Sequence, residues 1–313
     1  MMKPADISYN FSVAKVLSIL TVAAAHYFGG LLWIPTTVAL FIFSFSSGYF
    51  SSSKYAGDFS VKEFWKAKLV RLGSNLALIN LFLLALFLFQ GRSNVFTWDS
   101  LWGVSGLSAA LAWFGLPYHS PFGAGQWFLT VLYIYYLAYP VLERINRSHA
   151  AATAFMLSAL PATTYLDFNV GFGYALGMTT FGFLLGTYAG RMPARMSLGM
   201  SGSILAISVT AMLIINRHFG VHSLNYYFIL VSAVMACNIL LVYRLPDALG
   251  PIFMPLSGCV LEIYLIHTYL FVRLPGSQIA GFALSLTLIL LTAMTLGRLN
   301  SFATRTWKKS YST

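Results

Sequence analysis

Ten stretches of this chain approach the length of a membrane-crossing helix and carry almost no charge, while basic residues gather in alternate connections between them. Roughly 20 apolar residues cross the hydrocarbon core, because a helix advances about 1.5 Å per residue and satisfies its backbone amides within itself. The stretches are 11–33, 36–52, 72–89, 127–142, 150–166, 172–190, 200–215, 224–243, 253–272 and 279–296. Several are short for a span, which tilt or local thinning of the bilayer accommodates. They predict an all-α protein, a polytopic transmembrane helix bundle of about ten spans forming a single integral-membrane domain over residues 1–313.

Composition decides against a soluble helical domain, since only 9% of the residues are charged, against about 25% in ordinary soluble domains. A net charge of +11 would point to nucleic acid in a soluble protein, but here the excess lies in the connections, so membrane lipids rather than nucleic acid are the expected surroundings. With the N-terminus inside, Lys54, Lys62, Lys66, Lys68, Arg71, Arg144, Arg147, Arg191, Arg195, Arg244, Arg298, Arg305, Lys308 and Lys309 fall on the cytoplasmic side. Arg92, Arg217 and Arg273 fall outside. That asymmetry sets both termini in the cytoplasm and asks for an even number of spans. Residues 1–10 lack the pattern of a cleavable leader, so the first span is expected to stay. Cys237 and Cys259 have neither CxxC spacing nor a nearby His cluster, which argues for buried thiols and against a disulfide framework or a metal.

The long connection 91–126 is predicted to be non-cytoplasmic, and its part 101–114 is apolar enough for an interfacial or re-entrant piece acting as a lid. The run GLPYHSPFGAGQ then breaks helix ahead of the fourth span. No internal repeat is visible, so a transporter built from two matching halves gains no support.

An ionisable residue within a span is by default a functional-site hypothesis. Lys15 and His26 share the first span, and eleven steps return a helix to within about 20° of the same face after a rise of roughly 16 Å. Lys15 lies near the cytoplasmic end, where a long side chain can also snorkel to the interface. His26 lies about 22 Å in from residue 11, past the midplane, and histidine is the usual general base near neutrality. In KYAGDFSVKEFWKAKLVRL, Lys68 and Arg71 are three apart and share a helix face, so they can grip phosphates together. Glu262 and His267 occur in LEIYLIHTYLF of the ninth span, roughly 140° apart, which argues against direct pairing. Asp167, His119, His149, His218 and His222 lie near span ends, where solvation explains them.

Taken in order, KVLSILTVAAAH, FIFSFSSGYF, FWKAKLVRL, QWFLTVLYIYYLAYP and EIYLIHTYLF resemble segments of the membrane-bound acyltransferase 3 family, and together they cover most of the chain. The first resembles that family's motif of a basic residue, ten residues and a histidine. The resemblance implies an O-acyltransferase of the bacterial cytoplasmic membrane. It would pass an acyl group, acetyl in the simplest case, from cytosolic acyl-CoA to a hydroxyl of a surface polysaccharide such as lipopolysaccharide, or of a lipid-linked glycan. On that resemblance His26 takes the place of the catalytic histidine, Lys15 that of the basic motif residue, and Lys68 and Arg71 that of the donor-binding pair. Trp127, Ser47, Gly48, Glu262 and His267 become candidates for the acceptor or oxyanion side. No metal or tightly bound cofactor is implied, acyl-CoA being a co-substrate.

Two departures bear on the donor. The motif residue is Lys15 rather than the commoner arginine, which keeps the charge but loses the bidentate fork, and Ser12-Val13 stands where Asp-Gly is frequent. Some relatives carry a fused extracytoplasmic esterase-like domain, which is not expected here. The other reading of the same residues is a multi-pass transporter or flippase with Lys15, His26 and Glu262 as a proton or substrate path.

Overall fold

The computed structural model describes residues 2–55, 59–169, 175–192 and 195–310, the side chains of Leu31 and of 304–310 excepted. Part of the expected 172–190 span and the basic side chains of Arg305, Lys308 and Lys309 therefore lie outside what is described. Among the described residues the chain is helical with no strand. The helices are α1 (Pro4–Phe28), α2 (Trp33–Lys54), α3 (Val61–Phe89), α4 (Trp98–Val104), α5 (Ser108–Trp113), α6 (Trp127–Ile145) and α7 (His149–Asn169). They continue with α8 (Leu176–Arg191), α9 (Leu198–Phe219), α10 (Asn225–Val242), α11 (Gly250–Ser257), α12 (Val260–Ile266) and α13 (Gln278–Ser310).

Local chemistry sets the boundaries. Helix α1 opens with Pro4 and Asp6 in its first turn and stops at Gly29, because Gly29 and Gly30 both take positive φ, 69° and 64°, which side chains disfavour. The first helix thus begins before residue 11 and ends before residue 33, the bounds expected for this span. Helix α3 starts well before residue 72, because Ser60 caps it by accepting the Glu63 amide at 3.3 Å, a pairing of residue types suited to a helix start. Its 29 residues rise about 43 Å, more than the hydrocarbon core needs, so its basic first turns extend beyond the membrane.

Seven described helices are long and apolar enough to cross a membrane, namely α1, α2, α3, α6, α9, α10 and α13. The pair Asp247–Ser257 and Val260–Tyr269 makes an eighth if it is one broken span. The expected count of ten thus becomes seven or eight by length and composition. Helices α7 and α8 fall outside the set: α7 carries Thr153, Ser158, Thr163, Thr164 and Asp167, and α8 has 16 residues. Because these two are consecutive, omitting both leaves the sidedness of every other connection unchanged.

The chain divides into two compact units, Met1–Phe59 with Ala138–Ser257, and Ser60–Leu137 with Gly258–Thr313. In the first, α2 and α8 make the closest helix pair. A Cβ on Gly48 would stand 2.2 Å from the Phe183 carbonyl oxygen, and one on Gly186 would stand 2.1 Å from that of Phe45. A Cβ on Gly182 would stand 2.9 Å from the Phe41 carbonyl oxygen and one on Gly190 2.8 Å from that of Tyr49, also too close for a side chain. Small residues at four-residue spacing let backbones touch, the usual source of helix association where lipid removes the hydrophobic drive. Next to this contact, the rings of Phe11, Phe41, Phe45 and Tyr49 stack at centroid distances of 5.7 to 6.5 Å.

In the second unit α12 packs on α3 and α13, and the turn ahead of α6 is strapped to α12. The Phe128 amide donates to the Tyr264 hydroxyl (3.0 Å), which donates to the Gly125 carbonyl (2.9 Å). Gln126 donates to the Leu265 carbonyl, Thr268 to that of Ala124, and the Ala124 amide to the Tyr269 hydroxyl.

Candidate functional site

Helix α1 carries Lys15 and His26 on one continuous rod. Lys15 is half-buried, with its ammonium 5.8 Å from the centre of the Phe50 ring, so an aromatic face from α2 shares its charge. His26 is exposed in the last turn, beside buried Tyr27. The helix therefore presents an ammonium at one depth and an imidazole about 16 Å further along. Ser47 is half-buried, and Gly48 is taken up by the α8 contact. A helix-packing requirement thus accounts for the small residue in SSGYF, independently of any acceptor-side role.

In the second unit the two basic residues of α3 differ in their surroundings. The Lys68 ammonium lies 5.4 Å from the Phe64 ring centre and 4.4 Å from that of Tyr136, half-buried between them. Arg71 is exposed and is the arginine whose charge acts on Glu262. Glu262 is 3% exposed, its Oε2 finds no hydrogen-bond partner among the described residues, and Gly297 of α13 packs beside it, where a Cβ would stand 3.8 Å from Oε1. His267 is fully buried, with Nδ1 2.6 Å from the Tyr264 carbonyl oxygen. A carbonyl can only accept, so Nδ1 carries the proton and Nε2 is left with the lone pair when the ring is neutral. Trp127 is the first residue of α6, half-buried and edge-on to Phe128 at 6.1 Å. No group of three or more His, Cys, Asp or Glu is placed to hold a metal ion among the described residues.

A model of the acyltransferase domain matches residues 8–298. The chain belongs to the acyltransferase 3 family. It is accordingly a multi-pass membrane acyltransferase, and all nine residues singled out from the sequence lie within the matched region. No significant match is found among the curated proteins or the solved structures.

Two features of this acyltransferase were missed in the sequence. Glu143, fully buried at the end of α6, is paired with Arg191 of α8. Tyr139 donates to the same carboxylate at 3.4 Å, Arg147 approaches it at 3.8 Å, and Arg191 also donates to the Tyr55 carbonyl at 3.3 Å. Arg191 reads as one more topology-setting cation, yet Glu143 stands out as one of only eight acidic residues, which was the available signal. Asp167, expected to be solvated, is instead buried and accepts the amides of Gly177 (2.6 Å) and Met178 (2.7 Å) in the first turn of α8. A carboxylate there satisfies orphan donors and complements the helix dipole.

Proposed function

We propose that this acyltransferase moves an acetyl group from cytosolic acetyl-CoA to a hydroxyl of a surface-polysaccharide sugar or its lipid-linked precursor at the bacterial cytoplasmic membrane. The supporting observation is the placing of Lys15 and an exposed His26 on one helix, separated by about the length of an extended pantetheine arm. Arg71, Lys68 and Lys15 would meet the phosphates of CoA, because charge-assisted hydrogen bonds to phosphate are strong. The acceptor hydroxyl attacks the thioester carbonyl while His26 takes its proton. The new C–O bond forms, the C–S bond breaks, and the proton passes to the departing CoA thiolate. Donors such as the Trp127 indole nitrogen would steady the oxyanion.

The test is transfer of radiolabelled acetyl from acetyl-CoA by the purified protein, with mass spectrometry of surface glycans made with and without it. His26→Ala should reduce transfer by roughly 10²- to 10⁴-fold without lowering thermal stability. An alanine variant with near-normal turnover would remove His26 from the chemistry.

A further inference from the structure

A cavity of about 650 Å³ lies in the second unit, between the outer end of α3 and the connection that follows it. Leu84, Val95, Phe96, Leu101, Val104 and Phe122 make its apolar wall, and Thr97 and Ser100 add the polar atoms. This volume is in the range of ligand pockets. Its wall is firm: Gly103 of α4 packs so closely on 118–122 that a Cβ there would overlap Tyr118 and Phe122, and Ser100 is hydrogen-bonded to Ser120 at 2.8 Å.

Three observations identify what enters it. Two of its lining residues, Trp98 and Phe96, are 84% and 77% accessible, and Phe89 at the end of α3 is 91% accessible. Exposed aromatic side chains beside an apolar cavity suit a membrane–water interface, where the hydrocarbon of a lipid can reach it. Exposed Arg92 sits beside it, its guanidinium 5.1 Å from the Phe87 ring, which packs at 5.0 Å on the Phe122 wall. Arg92 makes no ion pair among the described residues. The nearby carboxylate, Asp99, is engaged by the His119 amide at 2.9 Å. A hydrocarbon slot with a cation at its rim matches a lipid carrying a phosphate.

We propose that this cavity takes the hydrocarbon chain of the lipid-linked acceptor and that Arg92 contacts its phosphate; the proposal rests on the acyl-transfer reading above. The cavity lies at the opposite end of α3 from Lys68 and Arg71, which sets it apart from the phosphate contacts proposed for CoA. Filling the slot should therefore affect acceptors with a tail and leave tail-free acceptors alone.

The full-length protein in phosphatidylethanolamine nanodiscs is irradiated with a photoactivatable polyprenyl phosphate, and the cross-links are mapped. Attachment at Leu84 and within 95–104, displaced by unlabelled polyprenyl phosphate but not by phosphatidylglycerol, supports the proposal. Attachment elsewhere, or equal displacement by phosphatidylglycerol, overturns it. In the transfer assay, Leu84→Trp and Arg92→Gln should raise KM at least tenfold for a sugar on polyprenyl phosphate and leave KM unchanged for the same sugar on a short water-soluble aglycone. Equal changes for both acceptors overturn it as well. If the wild-type protein acetylates neither acceptor, the acyl-transfer reading fails by itself, and the cross-link map still decides the lipid site.

Discussion

The α2–α8 contact and the connection 91–126 use similarly apolar sequence to opposite ends. At the contact, glycines at 48, 182, 186 and 190 bring backbone against backbone and leave no space for a methyl group. In the connection, the short helix α4 and the residues before it line an open cavity of about 650 Å³. Apolar content alone therefore does not decide packing within a membrane; side-chain size does. The first region suits a scaffold that holds its neighbour α1 still, and the second a wall that admits a ligand.

The hardest break in this comparison is a large side chain in the tight region. Gly186→Leu should remove the folded protein or lower its stability by about 3 kcal/mol or more, since the clash is with the Phe45 backbone and cannot be relieved by rotating a side chain. Leu101→Ala in the connection, at a site 59% exposed, should leave thermal unfolding in detergent nearly unchanged. Similar losses for the two would erase the distinction between scaffold and wall.

Next in size is the ion pair at the basic end of the first unit. Arg191→Ala leaves the buried Glu143 carboxylate with only Tyr139 and the more distant Arg147 and should lower stability by up to about 3 kcal/mol. Adding Glu143→Leu should restore part of that loss, because the uncompensated charge goes with it. A double-mutant cycle on thermal unfolding reads the coupling, and strictly additive losses would show that the pair does not act as a unit.

The basic pair of α3 should divide by function. Arg71→Ala, at an exposed site, is expected to raise KM for acetyl-CoA roughly tenfold, the scale of one charge-assisted contact, with added salt blunting the difference. Lys68→Ala removes an ammonium from two rings and should cost about 1 kcal/mol of stability in addition to its effect on donor binding. Identical donor profiles and identical unfolding for the two variants would restore the pair as a single grip.

Much of this was legible in the sequence because it follows from one-dimensional signals. Apolar runs locate the helices, the basic residues order the loops, and a spacing of eleven places Lys15 and His26 on one rod. What stayed hidden depends on partners far along the chain. Gly48 looks like an acceptor-side residue until Phe183 of α8 is seen against it. Asp167 looks solvated until the α8 amides reach it. Lys68 and Arg71 look equivalent until Tyr136 covers one of them. Among the described residues α7 and α8 differ from the other spans for local reasons: Thr and Ser side chains and Asp167 dilute the apolar run of α7, and α8 has 16 residues.

The smallest expected effect tests how the connection keeps its cavity. Tyr118 donates its hydroxyl to the Phe122 carbonyl at 2.5 Å, beside the cavity wall. Burial holds its phenol above the ordinary value, the hydrogen bond with Ser120 pulls the other way, and the charge of Asp99 adds to the rise. Because the folded state binds this proton more tightly than the unfolded chain does, the stabilisation is complete below the ordinary phenol range, about 10. It is lost as pH rises through the folded value. Tyr118→Phe should therefore lower stability by about 1 kcal/mol near neutrality and flatten the decline of the unfolding midpoint above about pH 10. If the phenylalanine variant unfolds with the same alkaline slope as the wild type, the hydroxyl does not hold this wall, and the serine contacts at 100 and 120 carry it instead.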